Sequence, residues 1–291
     1  MTSTLCTCQV NSSSQRLLTT TAGLESLLST LNYSCYLLTF LHARSPSRSN
    51  VTLLLSRLLL RSRTRPVLPA KLPPTHTAAT SSNLANLTAL LTHTRTTLRL
   101  TDLIPLYAWL RTLLSTSSPP DPYLHAIALT QCLSYILYQA LENLALLIDL
   151  RILPPSLVTS RYNLLRTPSP APSTTKLWVI SCRFWLAGVA CDFFRLLREA
   201  YVEAQRRRRH ATSTETESER KEHVPTAAEI EEMDRRWWSE LFVAGCRLPL
   251  CMHYSVEGGL FRSSVEDGVV GALGLAASWE EWKVAWAETQ G

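Results

Sequence analysis

DPYLHAIALTQCLSYILYQALENLALLID, residues 121–149, is the stretch from which the fold of this chain can be read. Asp121 before Pro122 is a helix start: the carboxylate can take orphan amides, and proline fits the first helical position, where no amide donor is needed. Beyond it the polar residues are the ones that recur. Gln131, Ser134, Tyr138, Glu142 and Asp149 follow one another at steps of 3, 4, 4 and 7, the repeat of an α-helix. Most of the remaining surface is leucine, isoleucine and alanine. Pro122 to Leu141 carries no formal charge and has the roughly 20 residues that a membrane span needs, but His125, Gln131 and Gln139 interrupt it.

The same punctuation and period extend in both directions. Proline clusters at Pro66–Pro74, Pro119–Pro122, Pro154–Pro155 and Pro168–Pro172 cut the chain into blocks, since each removes an amide donor and restricts the residue before it. Upstream, Leu17, Leu24, Leu28, Leu31, Cys35 and Leu38 mark one helical face. Val51 to Arg63 is a short leucine-rich block with arginines on one side. A block opening at Asn83, read as an N-cap, aligns Leu84, Leu87, Leu91 and Leu98, and Pro105 is expected to kink or end it. Downstream, residues 174–209 carry Trp178, Cys182, Trp185, Val189, Phe193 and Leu196 on one face. A charged, Thr/Ser/Glu-rich linker follows Arg206–Arg209. Helix resumes near Pro225 and ends in the small-residue run Gly268–Ser278, closed by Trp279, Trp282 and Trp286. No period-2 strand pattern of any length appears. Ser26–Ala43 is uncharged but dotted with Ser, Thr and Asn, so helices lying at a membrane surface are as well supported as spans.

Composition agrees. Of 291 residues, 52 are leucine and 9 glycine; 46% are hydrophobic and only 18% charged, below the roughly 25% of soluble domains. The net charge of +6 favours anionic surfaces. The eight cysteines include no CxxC pair and read as reduced, packed thiols rather than a metal framework. The histidines are scattered without spaced carboxylate or cysteine partners, and no GxSxG, HExxH or P-loop occurs, so neither an enzyme nor a cofactor is expected. The arginines are not interleaved with an aromatic platform, which argues against nucleic acid. The GxxGxxG of Gly268, Gly271 and Gly274 has no preceding strand and reads as a surface for close helix packing or oligomerisation, not as a dinucleotide loop.

The order of these features resembles the peroxin-11 family. Thr21-Ala22-Gly23-Leu24-Glu25 leading into Leu31-Asn32-Tyr33 looks like the family's opening. RTTLRL at 95–100 is similar to its Arg-Lys-x-x-Arg-Leu segment, with Thr96 where lysine is common. YILYQALENLALL at 135–147 resembles its tyrosine-rich Asp-Asn-x-x-Trp-Leu stretch, with Glu142 for aspartate and Ala145 for tryptophan. The run Gly268–Ser278 is similar to its C-terminal Gly-x-x-Gly-x-x-x-Ser. The resemblance spans about residues 15–286, and the substitutions and inserts suggest a divergent member, of a fungal subgroup.

The expectations are therefore these. The fold is all-α, a membrane-associated bundle of about six to eight amphipathic or apolar helices. Residues 1–14 form a disordered N-terminus and 15–286 a single helical domain, with flexible inserts near 64–82, 115–122, 154–174 and 206–225. The resemblance implies a peroxisomal membrane protein that promotes elongation, fission and proliferation. The alternatives are a channel for small metabolites, with the Gln131–Asp149 stripe as lining, and a soluble helical adaptor. Leu84, Leu87, Leu91 and Leu98 are expected to enter the acyl boundary, with Arg95 and Arg99 meeting phosphates. Arg57, Arg61, Arg63 and Arg65 resemble a basic targeting signal read by the peroxisomal membrane-protein import receptor. An anionic phospholipid membrane, the fission machinery and further copies of the chain are the other expected partners.

Overall fold

In the computed structural model, residues 17–44, 75–154, 173–212, 226–261 and 265–289 are described. Among them are seven α-helices, one 3-10 turn and no strand: α1 Thr21–Arg44, α2 Thr75–Leu98, the turn Arg99–Thr101, α3 Leu103–Ser115, α4 Pro122–Asp149, α5 Ser173–Thr212, α6 Ala227–Tyr254 and α7 Glu266–Glu288. The all-α class and the number of helices follow the 3.6-residue pattern of the sequence.

Local chemistry sets several boundaries. At α4 the Asp121 carboxylate accepts the amides of Tyr123 and Leu124 at 2.9 and 3.3 Å, the cap read from the Asp-Pro pair. At α6, Thr226 and Glu229 form a reciprocal capping box. Two readings are corrected. Asn83 is not a cap, because α2 already begins at Thr75. Pro105 does not end that helix either: α2 stops at Leu98, and Pro105 is the third residue of α3, where an amide has no helical acceptor in any case.

The principal packing partners run in the order α2, α1, α7, α6, α5, α4, α3. α1 and α7, far apart in the chain, are thus neighbours. Their contact depends on missing side chains. A Cβ at Gly268 would sit 2.7 Å from the Phe40 ring, one at Gly271 2.5 Å from the Leu37 backbone nitrogen, and one at Gly274 inside the Tyr33 ring. The Ser29 and Ser278 hydroxyls, 2.6 Å apart, continue the same seam. The glycine face is therefore occupied by α1 of the same chain.

Polar groups close the array. Between α2 and α4, Gln139 donates to the Arg99 carbonyl at 2.9 Å and Asn143 to the Leu100 carbonyl at 3.2 Å, satisfying acceptors freed where α2 ends. α3 then folds back along the first half of α4, where the Cys132 thiol meets the Leu106 carbonyl at 3.7 Å. It stands off far enough to leave a cleft of about 410 Å³ lined by Pro105, Trp109, Tyr135 and Tyr138.

Candidate functional site

The interior is of mixed polarity: α4 buries Cys132, Ala145, Leu146 and Ile148, and polar residues beside them. On α4, Gln131, Ser134, Gln139 and Glu142 are all less than 9% exposed, while Leu133 and Leu137 on the outer face are 49% and 45% exposed. Buried polar groups must be partnered, and all but one Glu142 oxygen are. Gln131 donates to the Gly188 carbonyl at 3.3 Å and to Asp192 at 2.7 Å across the α4–α5 contact. Tyr135 lies over Gly188, whose missing Cβ gives the ring its place. Tyr138 stacks on Trp185 with centroids 6.1 Å apart.

Two arginines from the end of α2 tie this interior together. Arg99 places Nη2 3.2 Å from Glu142 Oε1 and donates from Nη1 to the Tyr138 hydroxyl at 2.7 Å. Arg95 grips Glu25 of α1 through Nε and Nη2, at 3.0 and 2.8 Å, and lies over the Tyr33 ring. Burial opposes both charges. Tyr33 and Glu25 at Arg95, and Tyr138 and Glu142 at Arg99, outweigh it and hold both guanidinium groups more firmly protonated than free arginine. One oxygen of Glu25 and one of Glu142 remain without a partner, so each bridge is half-satisfied.

Charges in the middle of α5 likewise contact protein groups, although Arg183 stays exposed. Asp192 takes Gln131 and lies 3.5 Å from Arg195; Arg195 reaches Glu240 of α6 at 2.7 Å; Arg183 donates to the Ser255 carbonyl at 3.1 Å. At the two ends of the α4–α5 pair sit side-chain clamps. Arg198 Nε contacts the second Asp121 oxygen at 2.9 Å, and its guanidinium lies over the Tyr123 and Tyr201 rings at 4.9 and 5.6 Å. The Arg198 hydrogen bond is the main reason the Asp121 carboxyl titrates below the ordinary aspartate range. At the far end the Trp178 indole donates to Asp149 at 2.9 Å.

The residues expected at a membrane surface divide. Leu87 and Leu98 are exposed and Leu84 and Leu91 half-buried, whereas Arg95 and Arg99 point to internal carboxylates. The buried residues of α2 are Thr88 and Thr96, and Thr92 exchanges hydrogen bonds with Asn32. Gly268, Gly271 and Gly274 face α1. Arg57, Arg61, Arg63 and Arg65 lie outside the described residues. Sequence reading gave no partner to His253, yet this buried ring pins the turn at residues 255–261. Its Nδ1 accepts the amides of Leu260 and Phe261 at 2.9 and 3.2 Å, which leaves Nε2 to donate to Glu266 at 3.1 Å. No local spacing announces that arrangement, because its partners come from the far side of a turn.

Two helices, Pro122–Asp149 and Thr174–Arg208, are long and apolar enough to cross a membrane. The second was read from sequence only as an amphipathic face. Ser26–Ala43 does not reach that standard. No curated protein and no solved structure matches the chain. The family described as peroxisomal biogenesis factor 11 (PEX11) matches residues 70–286, three of the four stretches that carry the sequence resemblance. An all-α chain with an outward apolar surface, two helices of bilayer length and this match over most of its length belongs to the peroxisomal biogenesis factor 11 family, whose work is the biogenesis of the peroxisomal membrane.

Proposed function

We propose that this protein elongates the peroxisomal membrane, and so promotes fission and proliferation, by adding helical bulk to one leaflet. The observation that carries the reading is α3. It is 13 residues long and strongly apolar, yet none of its side chains is buried, and it lies beside only the first half of α4. Ile104, Tyr107 and Leu114 are 60–71% exposed. The outer side of α2 extends this surface with Leu87, Leu90 and Leu98, flanked by Leu84 and Leu91. Six such side chains at half depth contribute on the order of 6 kcal/mol, taking about 1 kcal/mol each. That is enough for reversible insertion. A wedge in one leaflet expands that leaflet and bends the bilayer.

In this mechanism Arg95 and Arg99 are positioning residues. Their bridges to Glu25 and Glu142 fix the angle at which α2 and α3 leave the bundle. The net charge of +6 supplies attraction to anionic lipid. The import receptor, the fission machinery and other copies of the chain are the protein partners of this reading, which requires no catalytic step or cofactor. The test uses the full chain reconstituted in vesicles containing anionic phospholipid. Ile104→Asp with Leu114→Asp should leave the protein bound but abolish tubulation; tubulation at the wild-type level would overturn the reading.

A second reading, a conduit for small metabolites, is favoured by the inward stripe of Gln131, Ser134, Gln139 and Glu142. It requires conductance in planar bilayers that disappears on Glu142→Leu.

A further inference from the structure

We propose that α3 is a hinged paddle, which rests on α4 and swings off it about the Arg99–Thr101 turn when anionic phospholipid takes its place there. The proposal rests on the leaflet-wedge reading and adds the motion by which the wedge is delivered.

The pivot is visible in the backbone. Leu98 and Asp102, on either side of the 3-10 turn, both keep right-handed helical dihedrals, so the chain passes from α2 to α3 without leaving helical conformation. A short 3-10 stretch within a helical run often marks a hinge. Pro105 has no amide to donate to the Thr101 carbonyl, four residues back, and the Asp102 side chain makes no cap. The first turn of α3 is thus weakly tied to what precedes it. On the α2 side the same turn is fixed. Gln139 holds the Arg99 carbonyl, Asn143 the Leu100 carbonyl, and the Arg99 guanidinium reaches Tyr138 and Glu142. Bending is therefore confined to a few residues at an element end, where hinges lie. At the far end of α3, Thr116 is extended and Ser117, Ser118 and Pro120 are exposed, before Arg198 fixes Asp121.

The seat on α4 is shallow. Protein interiors leave few voids larger than a water molecule, yet a cleft of about 410 Å³ stays open between the two helices. Leu106 and Trp109 line it from α3, Tyr135 and Tyr138 from α4. The Cys132 thiol, a weak donor, meets the Leu106 carbonyl at 3.7 Å.

The surface of α3 suits a second environment. Ile104, Tyr107 and Leu114 are exposed on one side, while Leu103, Leu110 and Leu113 are half-buried on the side that carries Leu106. Arg111, exposed, is the only charge from residue 103 to 115. Water would penalise a helix that is apolar on both sides for leaving α4, and hydrocarbon does not. A ligand shifts such an equilibrium only through contacts that differ between the two states. Here those contacts are acyl chains on the inner leucines, reached only after the swing, and anionic headgroups drawn to Arg111.

The full chain tests this. Leu106→Cys puts a second thiol beside Cys132. Mild oxidation in mixed micelles of phosphatidylcholine should join the two, identified by peptide mass spectrometry, with the wild-type chain oxidised in parallel as the control for its other cysteines. After reconstitution with phosphatidylserine, the bridged protein should bind vesicles but fail to tubulate them, and reductant should restore tubulation. Tubulation by the bridged protein at the level of its reduced form would overturn the paddle. So would failure of the bridge to form, because α3 would then not rest on α4. A photo-crosslinker at Leu110 gives a second readout. It should label α4 in vesicles of phosphatidylcholine alone and acyl chains once phosphatidylserine is added; the same labelling in both would also overturn it. Ile104→Asp with Leu114→Asp separates this from the wedge. If that variant loses tubulation while the bridged chain keeps it, the wedge stands and the swing falls; if both tubulate, both fall.

Discussion

α4 and α6 have the same length, 28 residues, and opposite surfaces. α6 begins as a helix in water does: Glu231, Glu232, Asp234, Arg235 and Arg236 are exposed, and Ala244, Cys246, Leu250 and Cys251 are buried further on. α4 buries Gln131, Gln139 and Glu142 and presents leucines. Both have a helical period of polarity, so amphipathicity alone does not distinguish them. What differs is where the polar residues lie, outward at the start of α6 and inward on α4. The Asp121–Arg198 pair lies close to the Arg195–Glu240 bridge that joins α5 to α6.

The contrast can be broken most severely from the inside. Glu142→Leu leaves the Arg99 charge buried without its carboxylate, and should destabilise the protein by about 3–5 kcal/mol in detergent unfolding. Arg99→Leu combined with Glu142→Leu should recover most of that loss, because a buried pair replaced by apolar groups costs far less than a broken one. Failure of the double variant to recover would mean that the bridge is not the principal role of these residues.

A charge on each outer face sharpens the comparison. Leu137→Asp should lower the membrane-retained fraction after alkaline extraction by about tenfold, since α4 is one of two described helices long and apolar enough to cross a membrane. The matching change on α6, Glu232→Gln, should stay within about 0.5 kcal/mol, as exposed substitutions do. Equal effects would erase the distinction between the helices. At the start of α6, Thr226→Ala removes the capping box and should cost about 1 kcal/mol, read as a lowered unfolding midpoint.

The smallest effect is a pH dependence. The Asp121 carboxyl titrates below its usual range in the folded protein because Arg198 and two amides stabilise its anion. Its contribution is therefore complete above the ordinary aspartate value of about 4 and is lost as pH falls through the lowered one. Asparagine still caps, so Asp121→Asn isolates the arginine contact. The stability difference between wild type and this variant should shrink on acidification below about pH 4. A difference that grew instead would reverse the assignment.

Much of this was legible in the chain. Asp121-Pro122 marks its helix start because the cap is made within three residues. The polar stripe of α4 and the glycine triplet of α7 are periodic, so their faces can be drawn on a helical wheel. Arg95 and Arg99 show where that ceases. They lie beside a leucine stripe in sequence, which suits lipid phosphates, but carboxylates 70 and 43 residues away in the chain claim them. His253 is a similar case, its partners supplied by a turn and the next helix. Arg57–Arg65, read from sequence as resembling a targeting signal, falls outside the described residues.

By itself the sequence determined that the chain is helical, where proline interrupts it and which residues share a face, because capping, proline sterics and the 3.6-residue period act over a few neighbouring positions. Only the tertiary structure decided which of those faces is inside. That choice depends on whether a buried glutamate finds an arginine from a distant helix, and on whether seven helices can leave their leucines outward together. Residues 121–149 illustrate both halves: their period was plain from the start, and their orientation, with Gln131, Gln139 and Glu142 inward and Leu133 and Leu137 outward, came from what packs against them.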